Sequence, residues 1–202
     1  MTEDKSQTAI ILASTSFSRQ SLLRGAGITF SAEAADIDER GLEAELIDAD
    51  PAMVARRLSE AKALAVSSRY PYALVIGADQ TLGLGTRSFH KPATPDDART
   101  QLMALRGATH RLNSGVAIAQ GSRILFSHVS AADMTMRSFS DAFLDRYLTI
   151  AGSKVLTSVG CYQLEGPGIQ LFERIDGDYF TILGLPLLPL LAALRDLGAL
   201  DA

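Results

Sequence analysis

The sequence predicts an α/β domain built on a mixed sheet, and three observations carry the prediction. Short unbroken apolar runs, "AIILA" and "ALVIGA", have the length and composition of buried strands. Stretches with apolar residues three and four apart, opened by Asp, Thr or Ser and closed by glycine, have the pattern of amphipathic helices. From Thr109 to Thr135 residues alternate around a Gly121-Ser122 turn, which predicts a β-hairpin. Strands and helices alternating in this way belong to the α/β class.

In order, "AIILA" is a strand, and "SRQSLLRGAG" a short helix that glycine ends. "ITFSAEAADIDE" reads as a strand running out into an acidic loop. Asp50 is placed to cap a helix with Pro51 at its first position. Val54, Leu58, Ala61 and Ala65 form that helix's expected core stripe. "ALVIGADQTLGL" is a second buried strand, expected to end in a polar turn at Asp79-Gln80. Thr94 to Asp97 is a capping box for a helix with stripe Ala98, Leu102 and Leu105, which Gly107 ends. After the hairpin, Ser140 caps a helix carrying Phe143, Leu144, Tyr147 and Leu148. "IQLFERIDGDYFTIL" predicts a strand, an Asp176-Gly177 turn and more extended chain. Leu185 to Leu197 is the closing helix. Repeats, low-complexity stretches and linkers are lacking.

Composition narrows the function. The 202 residues are 47% hydrophobic and 21% charged, with a net charge of −4 and no basic block, which argues against nucleic-acid binding through a broad basic face. The single Cys161 excludes an internal disulfide and, alone, a cysteine-built zinc site; it reads as a packed thiol. The polar start "MTEDKSQT" has no secretory apolar region. The longest apolar run, "ILGLPLLPLLAAL", holds two prolines and falls short of the ~20 residues a membrane span needs. A soluble, cytoplasmic protein without membrane partners is expected.

Several short stretches could bear chemistry. In "ASTSFSR", Ser14, Thr15 and Ser16 sit between a strand and a helix N-terminus, where free backbone N–H groups and the helix dipole suit phosphate. Arg19 adds a fork that can grip phosphate oxygens. The competing reading is a plain Ser16 cap with a solvated Arg19. Asp79 follows a buried strand, where open α/β sheets place ligands; there it can bind a metal or take a proton from water, or simply close an Asx turn. "DIDE" gathers carboxylates at Asp36, Asp38 and Glu39, a magnesium-attracting pattern and also a common solvated loop. Lys62 beside its helix stripe and Lys91 in "HKP" would ordinarily be surface lysines. The histidines show no ligand spacing. "EGPG", Glu165 to Gly168, allows close backbone approach or a chain reversal.

Taken in order, "LASTSFSRQSLL", "DIDE", "EAKA", "GADQT", "HKP", "LRGATH", "GVA", "EGPG", "FERIDGDY" and "LGLPL" resemble the Maf family of nucleoside triphosphate pyrophosphatases, with one domain over 9–198. The resemblance implies an elongated, curved mixed sheet with flanking helices, two lobes around a deep cleft as in the inosine triphosphatase fold, and a homodimer. It implies cleavage of a nucleoside triphosphate to the monophosphate and pyrophosphate with Mg2+ or Mn2+. By motif, Asp79 is the proton acceptor, Lys62 and Lys91 neutralise the triphosphate, the Ser14–Ser16 turn and Arg19 hold phosphate, and Glu39 with Asp79 serves the metal. Base preference falls to Ser18, Gln80 and Glu165. Gln80 and Glu165 resemble the branch that takes 7-methyl-GTP, and a glutamate can accept from both guanine N1–H and its N2 amine. The turn departs from the family's S-P-R-R at Phe17 and Ser18. That departure motivates the alternative, a non-catalytic nucleotide-binding regulator of cell division.

Overall fold

The computed structural model describes residues 8–46 and 49–201. Most of the polar start, Met1–Gln7, lies outside the described residues. Among them the strands are β1 (Ile10–Leu12), β2 (Ser31–Ala32), β3 (Leu74–Leu84), β4 (Arg87–Phe89), β5 (Thr109–Gln120), β6 (Arg123–Met136) and β7 (Phe172–Asp176). The helices are α1 (Phe17–Gly25), α2 (Glu39–Glu45), α3 (Pro51–Ser67), α4 (Pro95–Leu105), α5 (Asp141–Ala151), α6 (Tyr179–Ile182) and α7 (Leu187–Asp196). Strand order is β2-β1-β3-β5-β6-β7, with β4 paired to β3. β1 runs parallel to both neighbours, whereas β4 and β7 pair antiparallel, so the sheet is mixed as the sequence predicts. None of the described helices is long and apolar enough to cross a membrane.

The chain divides into two compact units. The first comprises 1–79, 114–129 and 184–202. Here β1 and β3 pair Ile10 with Leu74 and Leu12 with Ile76, and Ala13 N–H continues the ladder to Ile76 O at 2.8 Å. The same register carries the chain leaving β1 alongside Ala78 and Asp79. Helix α3 lies unusually close to this sheet. A Cβ on Gly77 would stand 2.6 Å from the Ala63 amide nitrogen, and one on Gly115 would stand 2.7 Å from the Ala55 carbonyl carbon. Only bare backbone fits at those two points. The buried face of α3 is therefore Ala55, Leu58, Ser59, Lys62, Ala63, Val66 and Ser67. Of the predicted stripe, Leu58 alone is fully buried, because small residues rather than bulky ones meet the glycines.

The second unit comprises 80–113 and 130–183 and packs around Leu82, Leu102, Leu112, Met134, Met136, Leu144 and Leu171. The Thr94 capping box forms in both directions: Asp97 N–H donates to Thr94 Oγ1 at 3.1 Å and Thr94 N–H to Asp97 Oδ2 at 3.0 Å. Ala98, Leu102 and Leu105 are buried as predicted. Cys161 is a buried thiol whose Sγ donates to Gln101 Oε1, and burial pushes its pKa up to about 12. His110 is buried, with Nε2 2.7 Å from the Tyr162 hydroxyl.

Besides the α3 stripe, four expectations need correction. β3 does not end at Asp79-Gln80 but runs through to Leu84, because both polar side chains find partners without leaving the strand. The "DIDE" loop closes early: Asp38 accepts from Gly41 N–H at 3.0 Å and Glu39 opens α2. "YFTI" is helical, not extended, since Asp178 Oδ1 accepts from Phe180 and Thr181 N–H and nucleates α6. Lys62 is buried rather than at the surface, for reasons the site supplies.

Candidate active site

Five of the residues singled out in the sequence come together in the first unit: Ser14, Arg19, Glu39, Lys62 and Asp79. Lys62 is the hub. Its Nζ lies 2.6 Å from Asp79 Oδ1 and 2.9 Å from Glu39 Oε2. A lysine 7% exposed and an aspartate equally enclosed would each be costly alone; as a pair they offset one another's desolvation. The close seat of α3 on Gly77, two residues before Asp79, sets that distance. Glu39 reaches in from the first turn of α2 with its side chain half exposed.

Arg19 stands in the first turn of α1, partly buried and bonded to the protein through Nε and Nη1. Its Nε donates to Gly184 O at 2.9 Å, and its Nη1 donates to Ala78 O at 2.9 Å and to Ser14 Oγ at 3.3 Å. Burial lowers the guanidinium pKa, and the negative charges of Asp79 and Glu39 work against that shift. Ser14 also accepts from Ser16 N–H at 3.2 Å, which folds the turn onto itself. Ser16 occupies the N-cap position but makes no side-chain cap bond. Thr15 is exposed, and Ser16 and Ser18 are partly so. The first turn of α1 has no acidic residue to compete for its amides.

Gln80, Lys91 and Glu165 belong to the second unit. Gln80 Nε2 donates to both Thr181 O and Ile182 O at 3.1 Å, fixing the amide's orientation. Lys91 is exposed between β4 and α4, and Glu165 is exposed ahead of the short 3₁₀ turn Pro167–Leu171.

Three glycines contribute in ways that sequence reading missed. Gly77 and Gly115 let α3 approach the sheet, and their signal was no more than a glycine inside each strand. Gly184, with φ of 88°, presents its carbonyl to Arg19. It lies in the "LGLPL" stretch, which has no titratable group to draw the eye.

A divalent cation is consistent with this donor set. Two carboxylates converge on one ammonium, and Mg2+ takes one or two carboxylates with phosphate oxygens completing its shell. Among the described residues no cluster of three or more His, Cys, Asp or Glu could hold a metal unaided.

Comparison with known proteins agrees with the sequence motifs. A family model described as Maf-like protein matches residues 9–197. A relative from Rhizobium meliloti (strain 1021), named 7-methyl-GTP pyrophosphatase, is 56% identical over 195 residues, covering 96% of this chain and 98% of its own. Another, from Bradyrhizobium diazoefficiens, is named nucleoside triphosphate pyrophosphatase and is 55% identical over 191 residues, with 95% of each chain covered. A solved HAM1 protein from Coxiella burnetii overlaps 64% of this chain and 73% of its own at a TM-score of 0.35 and 14% identity, too loosely to bear on the argument. With the family model and the full-length relatives in agreement, this chain belongs to the Maf family.

Proposed function

We propose that this protein hydrolyses a nucleoside triphosphate to the monophosphate and pyrophosphate, with a modified purine such as 7-methyl-GTP as substrate, clearing such nucleotides from the pool. The observation that carries the reading is Lys62, buried between Asp79 and Glu39. The names of the full-length relatives support it.

The residues divide the work by chemistry. The Ser14–Ser16 turn and the first-turn amides of α1 offer donors to phosphate oxygens. Lys62 holds Asp79 Oδ1, which leaves Oδ2 to accept the proton of a water. That water's oxygen attacks phosphorus, the P–O bond to the leaving pyrophosphate breaks, and the proton rests on Asp79. Arg19 and Lys62 only balance Glu39 and Asp79, so a polyanion needs further positive charge. Glu39 and Asp79 would hold a Mg2+ or Mn2+ ion, which would supply that charge and polarise the phosphate. For Lys91 as a phosphate contact, for Ser18, Gln80 and Glu165 as base contacts, and for a cytoplasmic homodimer, support comes from the family resemblance.

The test is a panel of canonical and methylated nucleoside triphosphates with Mg2+ or Mn2+, read by pyrophosphate release. Turnover highest on 7-methyl-GTP supports the full reading. Orthophosphate release, or saturable binding without hydrolysis, overturns it, the second outcome favouring a nucleotide-binding regulator.

A further inference from the structure

We propose that Arg19 is a positioning residue for Asp79 rather than a phosphate ligand, and that Gly184 is the anchor against which it works. This inference rests on the pyrophosphatase reading above. An arginine at a helix N-terminus beside three hydroxyl residues is the obvious phosphate grip, yet its Nε and Nη1 are spent on the protein itself. Both of its short bonds go to main-chain carbonyls, Ala78 O and Gly184 O, each at 2.9 Å. Ala78 immediately precedes Asp79, so the Nη1 bond fixes the peptide that carries the proton acceptor. The Nε bond ties that point to Gly184, whose φ of 88° is a conformation that side-chain-bearing residues rarely adopt. Ser14 Oγ, 3.3 Å from Nη1, fastens the turn after β1 to the same guanidinium. One side chain thus pins three segments, 14–19, 78–79 and 184, and a planar fork can do this where a single ammonium cannot. The "LGLPL" stretch acquires a role: its glycine aims a carbonyl.

The experiment separates grip from positioning by comparing Arg19→Lys and Gly184→Ala with the unmodified protein. Steady-state kinetics on nucleoside triphosphate, equilibrium titration with a non-hydrolysable analogue and thermal melts use the same preparations. Arg19→Lys keeps the charge and loses the fork. Gly184→Ala leaves Arg19 untouched but strains its acceptor. Both variants should lose about tenfold to a hundredfold in kcat, the order expected for a misplaced catalytic group. KM and the analogue's Kd should stay within about twofold of the unmodified values. Full kcat in Arg19→Lys, or a raised KM and Kd at unchanged kcat, would show that Arg19 grips phosphate and overturn the proposal. Variants unfolded at the assay temperature overturn it too, assigning Arg19 to the fold alone. If the unmodified protein releases no pyrophosphate, the reaction itself is refuted and the positioning role falls with it.

Discussion

Asp79 and Lys62 place opposite demands on substitution. Asparagine at 79 preserves shape but removes charge and basicity, so Asp79→Asn should lower kcat at least ~100-fold, within the range for a lost general base. It should still bind nucleotide, and kinetics with a melt on one preparation would show both. An Asx-turn residue would have given the reverse, lost stability with turnover intact, but β3 running on to Leu84 removes that role. Lys62→Met strips the partner from a buried carboxylate, a change that costs ~3–5 kcal/mol, and its urea midpoint should drop accordingly. His110 gives a pH dependence. Burial lowers its folded pKa to about 4, below the ordinary 6.5, despite the opposing charge of Asp133. As pH falls the unfolded chain takes up this proton first. Stability present above pH 6.5 is therefore lost towards pH 4, by about 3 kcal/mol at ~1.4 kcal/mol per unit. His110→Gln should flatten that part of the stability-against-pH curve, and an unchanged slope would move the effect to other groups.

Helix α3 is the element on which the site depends, and its seat is set by what the sheet lacks. Gly77→Ala would force the Ser59–Ala63 backbone away from β3. Overpacking of this kind costs ~1–3 kcal/mol, and here it would also part Lys62 from Asp79. Activity should fall by more than the melt explains, which assays well below the melting temperature would reveal. Thr94→Ala is the contrasting case. It removes one half of the capping box on α4, should cost ~1 kcal/mol, and should leave kcat and KM unchanged. The two helices also differ in legibility. Capping box, proline and stripe made α4 readable from sequence to the residue, because every signal was local. The face of α3 was misread because it is decided by glycines at 77 and 115, distant in sequence. Likewise "YFTI" looked extended until Asp178 was seen to cap it, and Lys62 looked solvent-bound until its two carboxylates were placed.

At the scale of the whole molecule, the mixed sheet and the order of most elements were legible in short apolar runs and punctuation. The bonding of Arg19 to the main chain was not, since it depends on carbonyls at 78 and 184. A global prediction follows from the shortage of metal ligands among the described residues. Mg2+ alone should scarcely shift the melting temperature, whereas Mg2+ with a non-hydrolysable nucleotide should raise it by several degrees, since a ligand stabilises only as far as it binds the folded state. A large shift with Mg2+ alone would mean a site the carboxylate pair does not explain. The division into units has a consequence for inheritance. One unit is assembled from three stretches of chain and the other from two, with the crossings inside β3, β5 and β6 and after Leu183. No single cut, natural or engineered, releases either unit as a continuous polypeptide. Exchange of one half between relatives by simple recombination would break strands rather than swap modules. Such a gene is expected to travel, duplicate and diverge as one indivisible block.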